Sequence, residues 1–83
     1  VTRDEIQQAI LTELGHIAPE ADMTGLDPDA DLRYELDIDS LDFLNFVIAI
    51  DARLHVDVPE LDYSKITTVR DCTDYVAAKL GVP

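Results

Sequence analysis

The sequence predicts an all-α fold: a small four-helix bundle, three main helices plus one short helix, with a long loop between the first and second. Three observations predict it. Apolar residues recur at helical spacing in three separate stretches. Each of these stretches opens on a residue suited to cap a helix N-terminus. Gly15 and Gly81 stand where the first and last stretches end.

Thr2-Arg3-Asp4-Glu5 fits a capping box, with Thr2 as N-cap and Glu5 three residues on. Ile6, Ile10 and Leu14 follow at helical spacing, so the first helix is expected over about 3–15, closed by Gly15. The pattern then dissolves from His16 to Asp39, where Pro19, Gly25 and Pro28 punctuate an acidic loop. A loop of more than about twenty residues is uncommon in so small a domain and is often functional or partly self-structured. Ile17, Met23, Leu26, Leu32, Leu36 and Ile38 are spaced to pin it to a core. Asp39 caps the second helix, which runs to Leu54 with Asp42 in its first turn, where the helix dipole favours an anion. Pro59 suits the first turn of a short helix over about 59–65. Thr68-Val69-Arg70-Asp71 resembles a second capping box, and Val69, Cys72, Val76 and Leu80 carry the last helix to Gly81.

Eighty-three residues predict a single domain spanning 1–83, and an apolar fraction of 47% makes a packed core plausible. Six basic residues face eighteen acidic ones, for a net charge of −12. Such a chain repels nucleic acid and anionic lipid and favours partners with basic surfaces. One cysteine, Cys72, forbids a disulfide within the chain and fits a reducing compartment. No cationic start leads into an apolar segment, and no apolar run reaches the roughly eighteen residues of a membrane span. A cytoplasmic monomer without stable membrane insertion is expected.

The chemistry-bearing stretch is Glu35 to Ile50, in which Ser40 lies between Asp39 and a long apolar run. A serine at a helix N-terminus has two uses. It caps the backbone N–H groups that lack intrahelical partners, or it carries an anion such as a phosphate ester at the positive end of the dipole. On a helical wheel Phe43, Phe46, Val47, Ile50 and Leu54 share the face that belongs in the core. The opposite face should be polar, yet it holds Leu41, Asn45, Ile48, Ala49 and Ala52. A helix apolar all round is either wholly buried, here under the long loop, or offers a surface to a partner. Glu35, Asp37, Asp39, Asp42 and Asp51 surround the serine with charge that steers a basic partner.

Other chemistries fit poorly. Asp27-Pro28-Asp29-Ala30-Asp31 begins like a calcium loop, but Leu32 and Ile38 stand where an EF-hand needs glycine and glutamate. Ser40 has Ile38 and Asp42 where a nucleophile elbow needs glycines, and His16 and His55 read as ordinary residues near helix ends. Cys72 on the apolar face of the last helix reads as a small core residue, and one cysteine with two scattered histidines does not make the ligand set of a structural zinc site. No metal and no catalytic residue is expected.

Asp39-Ser40-Leu41 resembles the D-S-L motif of acyl carrier proteins. The similarity runs on through Asp42, Val47 and Ala49, then Val58-Pro59, Lys65-Ile66-Thr67-Thr68-Val69 and Asp74-Tyr75, and Leu14-Gly15 fits the end of that family's first helix. This resemblance implies a four-helix carrier whose Ser40 is esterified by 4′-phosphopantetheine, donated by coenzyme A through a phosphopantetheinyl transferase. The arm's thiol then carries acyl groups as thioesters to acyl-loading, condensing or acyl-transfer enzymes with basic docking surfaces. It implies partner contacts at Asp39, Leu41, Asp42, Asn45, Ile48, Asp51, Val58 and Glu60. With the wheel, it implies an acyl pocket lined by Leu32, Val47, Ile50, Ile66 and Cys72. Departures from the family pattern are Asp37, where glycine is usual three residues before the serine, Tyr63 in place of a small residue, Asn45 and Ala52 at usually acidic positions, and a longer preceding loop. They point to a specialised fatty-acid, lipid or polyketide pathway. A peptidyl or aminoacyl carrier would usually show G-G-x-S, which Asp37-Ile38-Asp39-Ser40 is not. An unmodified carrier-like docking domain is the third reading.

Overall fold

Thr2 closes the first turn of α1 (Arg3–Ile17) from both sides in the computed structural model, which describes residues 1–83. Its Oγ1 accepts from the Glu5 N–H at 3.2 Å, and the Glu5 carboxylate accepts from the Thr2 N–H at 3.0 Å. The helix runs two residues past the expected end. Gly15 sits inside it, and the break comes at Ala18, which has φ −127° and ψ 71°. Pro19 is the cause, because a proline ring drives the residue before it out of helical backbone.

The segment between the long helices is not bare loop. It contains a 3₁₀ turn at Met23–Gly25 and a one-turn helix, α2 (Leu32–Glu35). Aspartates start both: Asp22 accepts from the Thr24 N–H, and Asp31 accepts from the Arg33 and Tyr34 N–H groups. The apolar residues pin the segment as their spacing predicts. Leu32 and Ile38 are buried, and Ile17, Met23, Leu26 and Leu36 pack partly buried against the core. Two backbone bonds tie it to the last helix and its approach: the Leu32 N–H donates to the Thr67 carbonyl at 2.8 Å, and the Arg70 N–H donates to the Pro28 carbonyl at 2.9 Å.

Helix α3 (Ser40–Leu54) ends at His55, which takes a left-handed φ of 58° where glycine would be the easier residue. The short helix expected over 59–65 is 3₁₀ in form, at Glu60–Lys65 after Pro59. Thr68 caps α4 (Val69–Leu80) by accepting from the Asp71 N–H at 3.0 Å, and Gly81 ends it at φ 71°. Helix α1 packs against both α3 and α4. Their facing sides supply the fully buried centre: Ile6, Ile10 and Leu14 from α1, Phe46 and Ile50 from α3, and Val69, Cys72 and Val76 from α4. No strand is present, and no helix is long and apolar enough to cross a membrane.

The 3₁₀ segment is held to α4 by one polar contact. The Tyr75 hydroxyl donates to Asp62 at 2.6 Å, with Lys65 3.2 Å from the same carboxyl group. The tyrosine bond first, then Lys65, holds Asp62 below its ordinary 3.8. Burial first, then that carboxylate, pushes the Tyr75 phenol from 10.0 up to about 12. A depressed carboxyl adds stability that is present above pH 3.8 and fades as pH falls through the lower folded value. The raised phenol adds stability present below pH 10.0 and lost as pH rises through about 12. Tyr75→Phe therefore moves the Asp62 midpoint, read by carboxyl carbon NMR, upward toward 3.8. An unmoved midpoint contradicts this coupling.

Candidate functional site

Asp39, not Ser40, caps α3. Its carboxylate accepts from the Asp42 N–H at 2.8 Å, and the Asp42 carboxylate accepts from the Asp39 N–H at 3.4 Å. This reciprocal box satisfies donors that a capping serine would otherwise serve. Ser40 is the first residue of the helix, is exposed, and keeps its hydroxyl free of capping duty.

The approach to Ser40 is a tight reversal. Asp37 has φ 51°, the left-handed region, which an aspartate tolerates better than most side chains do. The turn shape that glycine permits is thus kept at the position where this sequence departs from the family. The Ile38 N–H donates back to the Arg33 carbonyl at 3.2 Å. That fold-back returns Arg33 of α2 to the start of α3. Its Nη2 donates to the Ser40 Oγ at 3.1 Å, and its guanidinium lies 5.9 Å from the centre of the Phe43 ring. Neither His16 nor His55 hydrogen-bonds to Ser40.

An open groove of about 530 Å³ starts at Ser40. Phe43 and Tyr63 give it an aromatic side, packed edge to face at 5.7 Å and 68°. Arg33, Glu60 and the chain's second serine, Ser64, complete its polar margin. The five residues expected to line an acyl pocket, Leu32, Val47, Ile50, Ile66 and Cys72, all lie in one buried cluster. None of them lines this groove or any other opening. They are packed core, and the space beside Ser40 is bounded instead by Phe43 and Tyr63.

The outer face of α3 is open, so the long loop does not cover it. Leu41 is 64% exposed and Ile48 57%. Asn45, Asp51, Asp39 and Glu60 are exposed beside them, and Asp42 is half-buried in the capping box. Val58, expected among the partner contacts, is 4% exposed and its side chain belongs to the core cluster. Leu44 and Leu61 extend the apolar exposure and were not singled out by sequence. Leu44 does not belong to the outermost arc of the wheel, and nothing in Glu60-Leu61-Asp62 signals which way Leu61 points. Arg33 was missed for a different reason, since only the turn at Asp37 brings residues 33 and 40 together.

The aspartates of the calcium-like stretch have structural work. Asp27 accepts from the Asp29 N–H, Asp31 starts α2, and Asp29 binds Arg70 through two contacts of 2.6 and 3.2 Å. Cys72 is 1% exposed, and burial pushes its thiol up to about 12.

Against this geometry the comparisons are specific. The family described as the phosphopantetheine attachment site matches residues 4–76. The chain is 31% identical to the acyl carrier protein of Picosynechococcus sp. over 78 residues, 94% of this chain and 90% of that protein. It is 32% identical to the acyl carrier protein of Rubrobacter xylanophilus over 75 residues, 84% of this chain and 90% of that protein. The chain belongs to the acyl carrier protein family. Its cofactor is 4′-phosphopantetheine, and acyl carrier proteins work by presenting acyl groups on it to partner enzymes. The residues at the start of α3 fit that group: an exposed hydroxyl, a cation on it and an open groove beside it. The buried Cys72 also suits an acyl carrier, because no exposed protein thiol competes with the arm. A thiol reagent is expected to find no reactive group in the folded unmodified chain and one equivalent after the arm is attached. A full equivalent before attachment contradicts this, by placing Cys72 within reach.

Proposed function

We propose that Ser40 is the attachment residue and that the exposed face of α3 receives the enzymes that load, extend and unload the arm. The observation that carries this reading is the freed hydroxyl: Asp39 and Asp42 cap the helix between them, and Ser40 stands exposed at its first turn. In the modification the Ser40 Oγ forms a bond to the pantetheine-side phosphorus as the pyrophosphate linkage of coenzyme A breaks, adenosine 3′,5′-bisphosphate leaves, and the hydroxyl proton passes to a base of the transferase or to water. The attached group supplies a thiol that forms thioesters. The chain supplies the rest: a rigid helix start that fixes the anchor, a groove for the near part of the arm, and a surface that brings enzymes to it.

The surface combines Leu41 and Ile48 with the acidic rim of Asp39, Asp51 and Glu60. Charge of one sign on the rim raises the rate of encounter with a basic enzyme, and the aliphatics hold the complex once water is expelled. Residues 1–83 act as one carrier domain in the cytoplasm, monomeric and without catalytic activity of their own. The departures at Asn45, Ala52 and Tyr63 support service in a specialised lipid or polyketide pathway with dedicated enzymes.

Incubation with coenzyme A and a broad-specificity phosphopantetheinyl transferase, followed by intact mass, tests the reading. One added phosphopantetheinyl group is expected. No addition to folded, previously unmodified protein contradicts it and favours the docking-domain alternative.

A further inference from the structure

We propose that Arg33 is a phosphate clamp for the arm, a positioning residue whose guanidinium binds the phosphodiester on Ser40 and leans the near end of the arm along Phe43. This inference rests on attachment at Ser40.

The chain has four arginines and two lysines among eighteen acidic residues. Three arginines are matched to carboxylates: Arg3 with Asp74, Arg53 with Glu13, and Arg70 with Asp29. Lys65 pairs with Asp62, and Lys79 sits on the Tyr75 ring. Arg33 is the one arginine of the four without a carboxylate partner, although Glu35, Asp37 and Asp39 lie close in sequence. Its guanidinium is spent on a neutral hydroxyl at 3.1 Å. A full cation aimed at a hydroxyl is weakly matched there. It becomes well matched when that oxygen bears a phosphodiester, because the planar fork of donors fits phosphate oxygens and charge-assisted bonds are the stronger kind.

The surroundings make such a partner valuable. The phosphodiester adds a negative charge to a chain already at −12, next to the carboxylates of Asp39 and Asp42. Without a cation the new charge meets only repulsion and the helix dipole. Arg33 is also held in advance. Asp31 accepts from its backbone N–H at 3.0 Å, Ile38 donates to its carbonyl at 3.2 Å, and Phe43 lies under its guanidinium at 5.9 Å. The backbone is thus fixed and the guanidinium already lies at Ser40, which reduces the freedom lost when the phosphate arrives.

The test compares unmodified and modified forms, each verified by mass, of the wild type and Arg33→Gln. Attachment is expected to lower the melting temperature of Arg33→Gln relative to its effect on the wild type by about 2–5 °C at low salt, and by less in about 1 M salt. A merely structural Arg33 shifts both forms of the variant equally, and that equality overturns the proposal. Should the variant resist modification, the wild type alone decides. The side-chain Nε–H NMR signal of Arg33 is expected to move on attachment while those of Arg3, Arg53 and Arg70 stay in place. An unmoved Arg33 signal in protein shown by mass to carry the arm overturns the clamp and leaves attachment standing. A protein that gains no arm contradicts attachment itself, and the clamp falls with it.

Discussion

Leu41→Ala with Ile48→Ala lowers the kcat/KM of phosphopantetheine transfer about 100-fold while the melting temperature stays within a few degrees. Both side chains are more than half exposed, so the folded chain gains little from them. In the proposed complex, docking covers them. Burying the exposed remainder of each is worth about 1–1.5 kcal/mol at roughly 25 cal/mol per Å², and two such losses amount to about two powers of ten. Alanine favours helix more than leucine or isoleucine does, so α3 survives the change. Asp51→Asn provides the contrast. Asp51 is exposed and takes no part in the helix cap, so its loss slows encounter modestly and flattens the salt dependence of the rate. Asp42→Asn is the poorer probe, because it also weakens the box that starts the helix by removing the charge from the acceptor. Transfer rates untouched by the double alanine variant place the docking surface elsewhere.

Phe46→Ala is expected to lower the melting temperature by roughly 15–30 °C. Phe46 is fully buried and lies 6.1 Å, ring centre to ring centre, from Phe43. Truncating a buried phenylalanine costs about 3–5 kcal/mol, and a domain of this size changes by about 4–8 °C per kcal/mol. The whole fold has only about 4–12 kcal/mol of stability in hand, by the usual range per residue. The loss is a large share of that total, so the variant unfolds at a lower temperature and phosphopantetheine transfer falls with the folded fraction as it is warmed. Cooling restores it, because the site itself is intact when folded. A variant with near wild-type melting would mean that this centre repacks around the loss and is not the close-packed cluster described above.

The helices were legible because their signals are local. Thr2 with Glu5, Asp39, Thr68 and Gly81 announce their ends within a few residues, and the wheel of α3 separates buried Phe43, Phe46, Val47 and Ile50 from exposed Leu41 and Ile48. Gly15 misled because a glycine inside a helix and a glycine closing one look alike until the proline four residues on is weighed. The second half of the cap at Asp42 was hidden by its short side chain, where the usual box has glutamate or glutamine. The internal structure of the 16–39 segment was beyond reach, since α2 is one turn long and the segment is held from across the fold, Leu32 by Thr67 and Pro28 by Arg70. The same distance concealed the site's closest side chain. The start of the helix could be read from Asp39-Ser40-Leu41, but Arg33 reaches Ser40 only through the left-handed turn at Asp37. Burial is the part of the site that position in the sequence leaves open: Val58 and the five residues expected to line an acyl pocket all lie in the packed cluster.

The chain has two serines, and both border the same groove. Ser40 is distinguished by its place at the start of α3, with the cap supplied by its neighbours and a guanidinium on its oxygen. Trypsin separates the two, cutting after Arg33, Arg53 and Lys65 so that Ser40 lies in the fragment 34–53 and Ser64 in 54–65. Mass mapping of the protein after treatment with coenzyme A and transferase is the most direct test. The added group is expected on fragment 34–53 alone, and Ser40→Ala is expected to remove it. A group on fragment 54–65, or one that persists in Ser40→Ala, would contradict the assignment of Ser40 as the anchor.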